Sequence, residues 1–151
     1  MLPIIMYRRL DGANGRNGIG WIIINPDADQ WAAVGIQELI EEKKKRSFAY
    51  AVWWRWTNED NEDVRQRECL GHMAEALVSA QFYGQDLMAA LRREAMAMQR
   101  GYGGIFASWP IAKIIHAMEL HQREAQRFID ANGKVIREIM AKERKHKAGA
   151  A

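Results

Sequence analysis

Apolar residues follow a strand-like pattern near the N-terminus and a helical pattern over most of the remaining chain. Residues 3–10 and 18–25 are rich in β-branched and aromatic side chains, which favours two strands. The connector between them, DGANGRNG, contains two Asn-Gly pairs of the kind found in tight turns. The sequence therefore predicts an antiparallel β-hairpin with a flexible tip.

A first helix is predicted directly after this hairpin. Asn25, Pro26 and Asp27 suit a helix start, since proline fits the first helical position and an acidic residue favours the first turn. Apolar residues then recur at helical spacing up to Ile40. The basic run at residues 43–46 is interpreted as the solvated last turn of this helix.

Residues 47–56, SFAYAVWWRW, fit two structures. Their aromatic positions alternate as in a strand, which would be a third strand of the sheet, but the i, i+4, i+8 spacing also fits a helix. Aromatic enrichment favours the strand. Trp53, Trp54 and Trp56 cannot all lie on one side of a strand, so either both faces are covered or one tryptophan is available to a partner.

The rest of the chain predicts helices separated by recognisable breaks. Capping signals at residues 57–61 start a helix, and residues 82–84 bend or end it. A glycine-rich corner at residues 101–107 interrupts the helical pattern, and a long amphipathic run covers residues 111–129. Residues 132–133, Asn-Gly, predict either a helix cap before a last helix or a hairpin turn; strong helix formers beyond them favour the helix.

These elements predict an α+β fold that is mostly helical, with an N-terminal antiparallel β-hairpin followed by a bundle of about four helices. We expect one domain over residues 1–151. Within it, residues 1–56 form the hairpin, first helix and aromatic segment, residues 57–147 form the helical body, and residues 148–151 form a tail.

Composition and charge narrow the class of protein without naming a function. The formal net charge is +3, and the cations concentrate towards the C-terminus. The single cysteine, Cys69, excludes an internal disulfide framework. We expect no secretory leader, because the charges of residues 1–10 follow the apolar residues, and no apolar run approaches the ~20 residues that span a bilayer. We expect a cytoplasmic protein, or part of an assembly formed in the cytoplasm.

A metal site is considered for Cys69 and His72, which lie three residues apart as zinc ligands on a helix can. His116, Glu119 and His121 are the further candidates, but five residues place His116 and His121 about 140° apart around a helix. The two histidines therefore cannot reach one ion from a straight helix. The sequence predicts no metal and no cofactor.

Residues 100–104, RGYGG, are similar to the pyrophosphate loop of the N-acetyltransferase superfamily, where an R-x-x-G-x-G/A run opens a helix. The resemblance implies binding of acetyl-CoA through backbone N–H groups. The chain departs from the pattern at Ile105 and Pro110, and a helix rather than a strand is predicted before the loop. Motifs for a nucleophile elbow, a P-loop or an H-E-x-x-H zinc helix are absent. The sequence thus favours a protein that is not an enzyme.

Eight methionines and six tryptophans favour an interaction or assembly subunit of a larger complex, a profile typical of bacteriophage and mobile-element proteins. The expected partner is another protein or a second copy of the chain. The alternatives are a small basic nucleic-acid-binding accessory protein, using the C-terminal cations, and an acyltransferase. The candidate interaction residues are Trp53, Trp54, Trp56, Ile139, Met140, Lys142, Arg144, Lys145 and Lys147.

Overall fold

The computed structural model describes residues 2–47 and 60–150 of the chain. Three strands come first: β1 (Ile4–Tyr7), β2 (Gly15–Gly18) and β3 (Trp21–Ile24). The helices are α1 (Trp31–Ser47), α2 (Asn61–Tyr83), α3 (Leu87–Arg100), α4 (Ile111–Glu119), α5 (Gln122–Ala131) and α6 (Gly133–Ala150). A short 3₁₀ turn, Tyr102–Gly104, lies between α3 and α4. The prediction of a mostly helical α+β fold is confirmed.

The sheet has the strand order β1-β3-β2, which corrects the predicted hairpin. β3 pairs antiparallel with β2 and parallel with β1, so residues 3–10 and 18–25 do not form a hairpin with each other. Part of the connector that was predicted to be a flexible tip forms β2 instead. A two-residue turn joins β2 to β3, and Gly20 permits this turn because its φ is positive, at 87°. β1 pairs with the other edge of β3 and runs parallel to it. Parallel neighbours require a long connection, which residues 8–20 provide.

The core lies between the inner face of the sheet and the helices. α1 is the central element, since it contacts β2, β3, α2 and α6. Its start differs from the prediction, because the helix begins at Trp31 rather than near Asn25. The side chain of Asn25 accepts a hydrogen bond from Asp27 N and donates to the backbone of Leu10 and Ala13. Asn25 therefore fixes the connector to the end of β3 and does not cap a helix.

The helix breaks agree only in part with the sequence pattern. α2 starts after Asp60, whose carboxylate accepts from Asp63 N, and it ends at Gly84 in the left-handed conformation. The α-helical run stops at the glycine corner, as predicted. The amphipathic run 111–129 is two helices rather than one, because α4 ends at Leu120 and α5 begins after His121.

Asn132 follows α5 and Gly133 begins α6, so the helical alternative is correct and the hairpin turn is wrong. The predicted third strand at residues 47–56 falls, apart from Ser47 in α1, outside the described residues.

Candidate functional site

One face of the sheet points away from the core, and its residues on β1 and β3 are apolar. The register pairs Ile4 with Trp21 and Met6 with Ile23, which places these four side chains on the same face. Their neighbours Ile5, Tyr7, Ile22 and Ile24 pack into the core on the other face. We call the four outward residues the outer sheet face.

Among the side chains of the outer sheet face, the exposed fraction is highest on β1. Ile4 is 68% exposed, and Leu2 and Ile19 beside it are 62% and 56% exposed. The Trp21 ring closely approaches Gly18 of β2, where an added Cβ would lie 2.5 Å from it. A small sheet with one solvated face normally alternates apolar and polar residues. β1 (IIMY) and β3 (WIII) lack this alternation, so their second face is built for burial.

The predicted interaction residues do not form one surface. Trp53, Trp54 and Trp56 lie outside the described residues. Ile139 is 1% exposed and packs inside the chain, where it closely approaches Gly35 of α1. The remaining candidates lie on α6, with Met140 half-buried and Lys142, Arg144, Lys145 and Lys147 exposed.

The side chain of Glu143 holds α6 against α1 and α2. Its carboxylate accepts hydrogen bonds from Trp31 N at 3.3 Å and from the Tyr83 hydroxyl at 2.6 Å, although the residue is only 5% exposed. Tyr83 Oη in turn accepts from Ala32 N. Lys147 Nζ lies 2.7 Å from the same carboxylate. One buried carboxylate therefore caps the start of α1 and joins it to α2 and α6.

A polar cleft of about 530 Å³ lies between β2, α1 and α2. Asn17 of β2 forms its inner wall, since its amide donates to both Glu38 and Glu41 of α1, at 2.5 and 2.6 Å. Lys45 Nζ donates to the Asn17 side-chain carbonyl. The connector that the sequence assigned to a flexible tip is thereby tied to α1.

Several carboxylates of α1 and α2 lie close together beside Asn17. Burial raises the pKa of Glu38 to about 7, and repulsion from Glu41 adds to the effect, while the Asn17 hydrogen bond opposes it. Burial and the nearby Glu68 raise the pKa of Glu41 in the same way. The carboxylates on α1 and α2 are thus close enough to disfavour each other's ionised form.

A histidine and two glutamates meet next to this charge, between α2 and α3. His72 Nδ1 lies 2.8 Å from Glu94 Oε1 and 3.5 Å from Glu75 Oε2. His72 and Glu94 are buried, and the Glu75 side chain is 14% exposed. We call these three residues the His–Glu cluster. Burial raises the pKa of Glu75, and repulsion from the neighbouring Glu94 carboxylate raises it further.

Tyr102 from the glycine corner completes the surroundings of His72. Its hydroxyl makes a hydrogen bond with His72 Nε2, and its backbone has a positive φ of 57°. The corner therefore orients a histidine, a role that the resemblance to an acetyl-CoA loop did not suggest. Cys69 is buried apart from the cluster, and burial raises the pKa of its thiol to about 12.

Sequence reasoning missed the His–Glu cluster for one clear reason. His72 and Glu75 are three residues apart on α2, which the sequence does display. Glu94 lies on the next helix, and only the packing of α3 against α2 brings it to the imidazole. The one signal for the cluster in the sequence was Glu94 itself, an acidic residue among the apolar positions of α3.

Comparison of the chain with protein-family models, curated proteins and solved structures found no match. In the described part of the chain, no helix combines the length and apolar character needed to cross a membrane.

Proposed function

We propose that the protein is a non-enzymatic interaction subunit of a larger complex, and that a partner protein covers the outer sheet face. The observation that supports this most strongly is the apolar character of the four outward residues of β1 and β3, Ile4, Met6, Trp21 and Ile23. Burying such a face removes apolar area from water, which is the main driving force of stable association.

The charges around the outer sheet face favour a particular kind of partner. Arg8 is exposed just after β1, Arg16 of β2 is exposed on the same face beside its partner Ile23, and β1, β2 and β3 contain no acidic residue. A surface with an apolar centre and an acidic rim complements this arrangement. A second copy of the chain would add its own arginines, and like charges oppose association. We therefore favour a different protein over self-association.

The C-terminal cations support the proposal less directly. Lys142 lies over the ring of Tyr7 and Lys147 pairs with Glu143, so both have partners within the chain. Nucleic-acid binding through this segment stays a prediction, as do the cytoplasmic location and the bacteriophage or mobile-element origin.

The experiment compares two substitutions that place a charge on an exposed apolar residue. Ile4→Asp changes the outer sheet face, and Leu120→Asp changes a leucine that is 74% exposed elsewhere. We expect Ile4→Asp to weaken partner binding about 30-fold or more, because an unpaired charge is costly in a desolvated contact. Leu120→Asp should leave binding unchanged. The measurement is titration of the co-purified partner against each tagged variant.

Two controls separate the outcomes. Light scattering of the isolated chain tests self-association, and a stable dimer lost in Ile4→Asp would replace the partner with a second copy. Arg16→Glu should also weaken binding if the partner's rim is acidic. Equal affinities for Ile4→Asp and Leu120→Asp would contradict the proposal.

A further inference from the structure

The His–Glu cluster offers three ligand atoms to a single point. His72 Nδ1, Glu75 Oε2 and Glu94 Oε1 come from two packed helices, and the three ligand atoms lie within 4.8 Å of one another. Ligands of a tetrahedral ion at 2.1 Å are about 3.4 Å apart. The two distances from Nδ1, 2.8 and 3.5 Å, lie close to that separation. An ion bound there replaces the hydrogen bond between His72 Nδ1 and Glu94 Oε1, releases its proton to solvent, and widens the separation of these two atoms from 2.8 Å to about 3.4 Å.

The Nε2 atom of His72, on the opposite side of the ring from the two glutamates, has a hydrogen-bond partner, as is usual for a histidine that binds a metal through Nδ1. When Nδ1 binds an ion, Nε2 carries the proton and can donate it to an oxygen. Tyr102 Oη is within hydrogen-bonding distance of Nε2, and Glu68 Oε2 lies 3.9 Å away. Tyr102 belongs to the glycine corner, so its hydrogen bond orients the ring independently of Glu75 and Glu94.

The charges around the cluster also favour a cation. Glu38 and Glu68 lie close enough to act electrostatically on the cluster, whereas Arg67 contacts Glu68 and Arg93 contacts Glu94. Arg93 is 45% exposed at its side chain, so water screens much of its charge. A divalent ion between Glu75 and Glu94 would be surrounded by carboxylates on the cleft side.

We propose that His72, Glu75 and Glu94 form a binding site for one divalent transition-metal ion that links α2 to α3. One imidazole with two carboxylates suits Zn²⁺, with Mn²⁺ as a weaker alternative, whereas Mg²⁺ prefers oxygen ligands alone. The proposal differs from the sequence prediction of no metal, and the experiments below decide between them. It does not depend on the proposed partner interface, which lies on the sheet.

The test uses metal-free protein prepared with a chelator, to which Zn²⁺, Mn²⁺ or Mg²⁺ is added. We expect one equivalent of Zn²⁺ to bind by calorimetry and the melting temperature to rise by about 5 °C or more at 100 times the dissociation constant. Mg²⁺ should have little effect. Glu94→Gln should reduce Zn²⁺ affinity at least about tenfold, because it removes a charged ligand but keeps the shape of the side chain.

His116 and Glu119 provide the matched control. They repeat the spacing of His72 and Glu75 on a helix, but both are exposed and lack a third ligand from another helix among the described residues. His116→Gln should leave Zn²⁺ binding unchanged. No melting shift with any of the three ions, or binding that survives Glu94→Gln and is lost in His116→Gln, would overturn the site.

A second measurement uses the natural chain and does not rely on a variant that folds. Co²⁺ in a four-coordinate site with nitrogen and oxygen ligands gives intense visible absorption, whereas hydrated Co²⁺ absorbs weakly. We expect the intense bands to saturate at one equivalent and to disappear when Zn²⁺ is added. The spectrum of hydrated Co²⁺ at all concentrations would contradict the proposal.

Discussion

The Glu143→Ala variant is expected to lose about 3 kcal/mol of unfolding free energy. The substitution leaves Trp31 N and the Tyr83 hydroxyl without their buried acceptor. Hydrogen bonds to a charged group contribute about 1.5–3 kcal/mol each, and an unsatisfied buried donor adds a desolvation cost. Urea unfolding at pH 7, followed by circular dichroism, measures the change.

Glu138 on the same helix is the control for this prediction. It is exposed, so Glu138→Ala should change the unfolding free energy by less than about 0.5 kcal/mol. Glu143→Gln keeps one carbonyl acceptor and should fall between the other two variants. Equal costs at positions 138 and 143 would show that the carboxylate does not hold α6 to the start of α1.

The pH dependence of stability is expected to change most in Glu38→Gln. The pKa of Glu38 is about 7 in the folded chain, above its ordinary value of 4.5. The folded state therefore binds more protons between these values, and stability falls as the pH rises from about 4.5 through about 7. At 1.36 kcal/mol per pKa unit, this group alone removes up to roughly 3 kcal/mol. The glutamine cannot ionise, so the variant should lack this part of the decline.

Unfolding free energies at several pH values between 5 and 8, in the presence of a chelator, check this prediction. Glu124→Gln is the control, since Glu124 also lines the cleft but is half-exposed. It should keep the natural pH dependence. A curve for Glu38→Gln that is parallel to that of the natural chain would mean that Glu38 is not held in a desolvated position.

Periodicity alone predicted much of the helical architecture. The apolar spacing of α2 and α3, the stop at Gly84 and the glycine corner could be found because each depends on residues near in sequence. Strand pairing could not, because turn chemistry suggested where the chain reverses but not which segment pairs with which. Gly15–Gly18 has weak strand propensity and becomes a strand through its contacts with α1.

The functional features were harder to predict because they join distant parts of the chain. Glu143 appears in the sequence as one acidic residue in a basic segment, yet it caps α1 more than a hundred residues earlier. Glu94 meets His72 only after two helices pack. The outer sheet face was implicit in the continuous apolar runs of β1 and β3, but its direction required the register.

Side-chain oxidation footprinting of the complex tests most directly whether a partner covers the outer sheet face. Met6 and Trp21 lie on that face, whereas Met88 and Met96 are 44% and 47% exposed on α3. The complex purified with the tagged chain should show slower oxidation of Met6 and Trp21 than the free chain, with Met88 and Met96 unchanged. Protection of Met88 and Met96 with Met6 and Trp21 still reactive would contradict the claim.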